Sequence, residues 1–112
     1  MDNIVANFLQ VKRIDSFQKL RFLLFLHQYP DVKGTCREFA KRLHLGDLPL
    51  VENIIADLHH AGLVVRLGHH YRLFDEPTLE ACLHLLAKAF EDPLARQELL
   101  DRVRSGPLAP DQ

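Results

Sequence analysis

Apolar residues along this chain recur at helical spacing through most of its length, with one short region that alternates instead. Over residues 3–13, Ile4, Phe8 and Val11 fall on one side with Val5 and Leu9 beside them, which predicts a short amphipathic helix. Lys12 and Arg13 stand at its end, where positive charge suits the helix dipole. A second helix follows an Asp15 or Ser16 cap and stops before Pro30. Phe17, Leu20, Leu23, Leu24 and His27 make one face of it, and Phe22, Phe25, Leu26 and Tyr29 cover much of the rest. A helix apolar nearly all round is buried on several sides, so this one is expected at the centre of the fold or of a dimer.

Residues 30–34 read as a loop. Thr35 with Glu38 three residues later forms a capping box for a third helix, CREFAKRLHL, which Gly46 is expected to end. Asp47 starts a fourth helix with Pro49 in its first turn, an apolar stripe of Val51, Ile54, Ile55 and Leu58, and Gly62 as its C-terminal cap. Residues 63–67 and 70–74 read as two strands around a tight turn at Gly68 and His69, pairing Arg66 with Tyr71 and Val65 with Arg72. Pro77 opens a further helix carrying Leu79, Cys82, Leu83, Leu86 and Phe90. Asp92 and Pro93 either kink that helix or begin a last one over 93–104, with Leu94, Leu99, Leu100 and Val103. The tail, 105–112, reads as flexible. The expected fold class is mostly α with a small β-hairpin, in one domain over 1–104 with a core motif at 35–74 and flanking helices at about 3–29 and 77–104.

The letters of that core motif resemble the winged helix-turn-helix of bacterial transcription regulators of the MarR-like and ArsR-like kind. REFAKRLHL is similar to the (E)-(I/F)-A-x-x-L first helix of the motif, with Phe39, Ala40 and Leu43 in the packing positions. VENIIADLHHAGLV resembles the recognition helix and its exit, and GHHYRL the G-x-x-Y-x-L return strand of the wing. The resemblance implies a winged helix-turn-helix with flanking N- and C-terminal helices that binds double-stranded DNA as a homodimer. Ile4, Phe8, Leu94, Leu100 and Val103 are the candidates for the dimer contact.

Charge changes that picture. The 112 residues carry 14 Lys and Arg against 15 Asp and Glu, a formal net charge of −1, whereas DNA-binding domains are usually basic. The positions expected to face outward on the fourth helix are Asp47, Leu48, Pro49, Glu52, Asn53, Ala56 and Asp57. Three are acidic, none is basic, and only Asn53 is a ready base reader. Candidate phosphate contacts lie elsewhere, at Lys33, Arg37, Lys41, Arg66, His69, His70 and Arg72. The alternative is a protein-protein module. In it Asp47, Leu48, Glu52 and Asp57 meet a partner with a basic rim, unless Leu48 and Leu50 pack into the core.

Candidate chemistry is sparse. Seven histidines raise metal binding, but His59 with His60 and His69 with His70 are sequence neighbours, and no H-x3-H or C-x2-C spacing occurs. No metal and no cofactor is expected. Cys36 and Cys82 lie far apart and read as free thiols, Cys82 on an apolar stripe and Cys36 at a helix start, where the dipole lowers a thiol pKa. The only serines are Ser16 and Ser105, and the five glycines form no phosphate loop, so no enzyme activity is expected. The N-terminus lacks the pattern of a signal peptide, and the longest apolar run, residues 22–26, is far below the ~20 residues of a membrane span. A cytoplasmic location without membrane contact is the expectation.

Overall fold

The computed structural model describes residues 3–104, and the tail expected at 105–112 lies outside them. Six helices and three strands follow in order: α1 (Asn3–Val11), α2 (Phe17–Gln28), β1 (Lys33–Gly34), α3 (Cys36–Arg42), α4 (Leu48–His60), β2 (Val64–Leu67), β3 (His70–Leu73), α5 (Pro77–Glu91) and α6 (Pro93–Arg104). The chain is mostly helical with a small antiparallel sheet. None of the described helices is long and apolar enough to cross a membrane.

The core is built on α2. Leu20, Phe22, Leu23 and Leu26 are all at most 1% exposed, because this helix packs against α4, α5, α6 and β3. Phe22 lies against Phe39 of α3 with ring centroids 5.2 Å apart, a tilted contact that aromatic quadrupoles favour. The apolar positions of this helix were expected to be enclosed, and the two at its ends depart: Phe17 is 45% exposed and Tyr29 48%. No described polar or charged residue is buried as a whole.

The hairpin pairs in the expected register, Arg66 with Tyr71 and Val65 with Arg72. Gly68 turns it with φ +67°. The structure corrects the loop expected at 30–34. Lys33 and Gly34 pair with Arg72 and Tyr71, so the sheet has three strands in the order β1-β3-β2. Two residues are too few to show a period in a sequence. Glycine suits β1 because a Cβ on Gly34 would lie 3.3 Å from Oε1 of Glu38, close enough that the capping carboxylate would have to shift.

Three helices end in the same way. Arg13 (φ +57°... the left-handed region), His44 and Gly62 each take positive φ. In each case the next residue donates its N–H five positions back: Ile14 to Leu9, Leu45 to Ala40 and Leu63 to Leu58, all at 2.9 Å. This closure uses carbonyls that the helix leaves open and folds an apolar residue onto the core. It also corrects the end of α3, which His44 terminates before Gly46 is reached.

Asp92 accepts a hydrogen bond from the N–H of Ala95 at 3.0 Å, so Asp92 and Pro93 begin a separate helix. The residues expected to form a dimer contact are divided. Phe8 and Val103 are buried in the chain's own core at 6% and 3% exposure, Leu100 is half-buried, and Leu94 is 79% exposed.

Candidate functional site

Helix α4 is fixed by its own sequence. The Asp47 side chain accepts from the N–H of Leu50 at 3.2 Å, and Pro49 occupies the first turn. Val51, Ile54, Ile55 and Leu58 face inward and are at most 2% exposed. Leu48 and Leu50 are half-buried and pack against the core. At its far end Lys12, just past α1, donates to the Ala61 carbonyl at 3.2 Å, placing a cation where the helix dipole is negative.

Helical spacing then separates the outward positions. Pro49, Asn53, Ala56 and His60 stand at i, i+4, i+7 and i+11, all are exposed, and they lie opposite the buried stripe. This crest carries no acidic residue. The acids stand on the flanks or at the end. Asp57 turns toward α2, where its carboxylate lies 2.9 Å from the Lys19 ammonium. The same ammonium holds Asp15 at 2.9 Å. Burial by itself would lower the Lys19 pKa, but the bonds and charges of these two carboxylates overcome it and hold the ammonium above its ordinary value. Glu52 stands on the other flank, near enough for its charge to act on Cys36 at the start of α3. On that same flank the His59 ring meets Tyr71 of β3 edge-on, with centroids 6.4 Å apart.

The thiol of Cys36 is pushed up, first by burial and then by the charge of Glu52. A helix N-terminus was expected to lower it, and its backbone hydrogen bond does act in that direction but is outweighed. This position therefore lacks the electropositive setting of a reactive cysteine. Among the described residues no group of three or more His, Cys, Asp or Glu is placed to hold a metal ion.

The basic candidates fall into two groups. Lys33, Arg37, Lys41, Arg66, His69 and His70 are all exposed, on β1, α3 and the hairpin. Arg37 and Lys41 stand four apart on α3 and share a side of it. At the hairpin tip, Nε of Arg66 donates to the Gly68 carbonyl at 2.8 Å, which holds the guanidinium beside the turn. His70 lies 3.8 Å from the Glu38 carboxylate.

Arg72 is turned away from Arg66 and shares its face of the sheet with its partner Lys33. Successive residues of a strand face opposite sides, so Arg72 and Tyr71, the partner of Arg66, point apart. Arg72 is half-buried and lines a cleft of about 170 Å³ with His27 of α2 and Glu80 of α5. The structure therefore does not bring it to the surface that carries Arg66.

Two participants escaped the sequence reading. Lys19 had a signal, its i,i+4 spacing from Asp15, but its reach to Asp57 spans separate helices. His60 joins the crest through its spacing from Pro49 and Asn53, which was legible but went unused. No family model matches the chain, and no curated protein and no solved structure is significantly similar to it.

Proposed function

We propose that this chain is a winged helix-turn-helix module that binds double-stranded DNA as a transcriptional regulator, with α4 entering the major groove and the β2–β3 hairpin acting as the wing. The observation that carries the reading is the acid-free crest of α4. A groove-facing helix needs a surface that phosphates do not repel, and Pro49, Asn53, Ala56 and His60 provide one. Asn53 offers both donor and acceptor to base edges.

Most of the affinity in this reading comes from phosphates. Arg37 and Lys41 on α3, Lys33 on β1 and Arg66, His69 and His70 on the hairpin supply those contacts, which orient the module without carrying sequence information. One good base reader beside several phosphate contacts implies modest sequence discrimination. Homodimerisation belongs to the proposal, since two copies of α4 would double a small footprint; the exposed Leu94 of α6 is an apolar residue open to it.

The test is fluorescence anisotropy with random duplex DNA at low and moderate salt. Binding should weaken as salt rises, and Arg37→Ala, Lys41→Ala and Arg66→Ala should each flatten the salt slope by about one. Arg72→Ala should leave the slope unchanged. An absence of binding at micromolar protein in low salt would sink the proposal. A second reading draws on the exposed acids Asp47, Glu52 and Asp57 around half-buried Leu48: an acidic α4 surface that meets a basic protein partner. It gains if that binding is absent.

A further inference from the structure

The cleft behind the sheet contains a cation that the fold does not use. The Nε of Arg72 is enclosed and has no hydrogen-bond partner, and the guanidinium enters none of the ion pairs among the described residues. A buried donor left unmet is costly, and a guanidinium presents five donors in a fork that matches a carboxylate. Carboxylates are nearby: Asp31, Asp75, Glu76 and Glu80 all line the same cleft. Yet none reaches Arg72 within ion-pair distance. Glu76 is engaged elsewhere, accepting from the N–H groups of Thr78 and Leu79 at 3.1 and 2.8 Å as the cap of α5.

The arrangement is thus bipolar. One side carries the half-buried Arg72, and the exposed side chains of Asp31, Asp75 and Glu80 stand around it, with Phe74 as an apolar side. A simple anion such as phosphate would meet Arg72 but be repelled by the acids. A simple cation would meet the acids but be repelled by Arg72. At about 170 Å³ the cleft is far larger than one water needs and smaller than a drug-sized pocket. The geometry points to a binding site for a small zwitterion of the α-amino acid class, its carboxylate on the Arg72 fork and its ammonium among Asp31, Asp75 and Glu80. The wing contact at Arg66 in the DNA reading lies on the opposite face of the sheet from Arg72.

The experiment titrates the full-length chain with each standard amino acid into the low-millimolar range and follows backbone amide resonances by NMR. Acetate, methylammonium and inorganic phosphate serve as half-ligands. The expected result is that at least one amino acid saturates and shifts the amides of Arg72, Phe74 and Asp75, while each half-ligand is at least about tenfold weaker. Arg72→Gln should cost about tenfold or more in affinity, and Glu80→Gln a smaller factor. If Arg72→Gln fails to fold, the half-ligand comparison on the unmodified chain still decides. The proposal is overturned if no amino acid saturates, if acetate or phosphate binds as well as the best amino acid, if methylammonium does so, or if folded Arg72→Gln binds unchanged.

Discussion

The Lys19 ammonium at the start of α2 lies 2.9 Å from the Asp57 carboxylate in the last turn of α4, and joins the central helix to the one whose crest is exposed. Its side chain is 13% exposed against 59% for Asp57, so the lysine is the sheltered partner. Lys19→Ala should lower stability by about 1–2 kcal/mol in urea unfolding, since it strands two carboxylates, and Asp57→Asn by less than about 1 kcal/mol. The pKa of Lys19 is raised, so its contribution is complete below the unfolded lysine value of about 10.4 and is lost as pH climbs through the folded value. Stability should therefore fall more steeply above about pH 10 in the native chain than in Lys19→Met.

The flanking acids should differ in their effect on DNA. Glu52 has no cation beside it among the described ion pairs, whereas Asp57 is paired with Lys19, which it shares with Asp15. On the proposed function, Glu52→Gln should tighten binding to random duplex by roughly threefold or more at low salt, and Asp57→Asn by less than roughly twofold. Equal effects from the two would mean that α4 is not oriented toward DNA by its crest.

Acid should loosen two helix starts. Glu38 accepts from the N–H of Thr35 at 2.8 Å, and Glu76 from Leu79 and Thr78; these backbone bonds hold both carboxyls below the usual range. A depressed carboxyl stabilises the fold above its unfolded pKa of about 4.3, and that help is lost as pH falls through the folded value. Glu38→Gln and Glu76→Gln should each flatten the acid limb of a stability-against-pH curve below about pH 4. Thr35→Ala, which removes the other half of the capping box, should cost about 1 kcal/mol near neutrality.

Left-handed backbone at Arg13 and His44 is strained for residues with a side chain. Arg13→Gly and His44→Gly should raise the unfolding free energy measured in urea, by up to about 1 kcal/mol each after the added flexibility of the unfolded chain. Gly62→Ala, at φ +80°, should lower it by a similar amount, about 1 kcal/mol.

Cys36 should react slowly. With its thiol pushed up by burial and by Glu52, it should label with a disulfide reagent near neutral pH more slowly than a free peptide thiol. Glu52→Gln should speed that labelling. Unchanged rates would separate the two side chains.

Local rules carried much of the fold in the sequence, and long-range pairings carried what was missed. The capping box at Thr35, the cap at Asp47 and the Gly68 turn each depend on residues within a few positions, and each formed as read. The strand at Lys33 and Gly34 escaped because its partners, Arg72 and Tyr71, lie beyond two intervening helices. Asp57 looked like a free acid on an outward face for the same reason: Lys19 stands on another helix. Arg72 is a different case. The hairpin register already placed it opposite to Arg66, and grouping the two arginines overlooked the alternation of a strand.

The short strand β1 also bears on how the chain folds. Its rungs to β3 close a loop that contains the whole of α3 and α4, while the β2–β3 hairpin closes across two residues. Entropy makes the larger loop the slower one to close. In refolding, the hairpin amides should gain protection from hydrogen exchange early, and the β1–β3 rungs should follow once the two helices have docked. The third strand then acts as a latch set last, and its exchange rate in the native state would report how often the α3–α4 pair swings open.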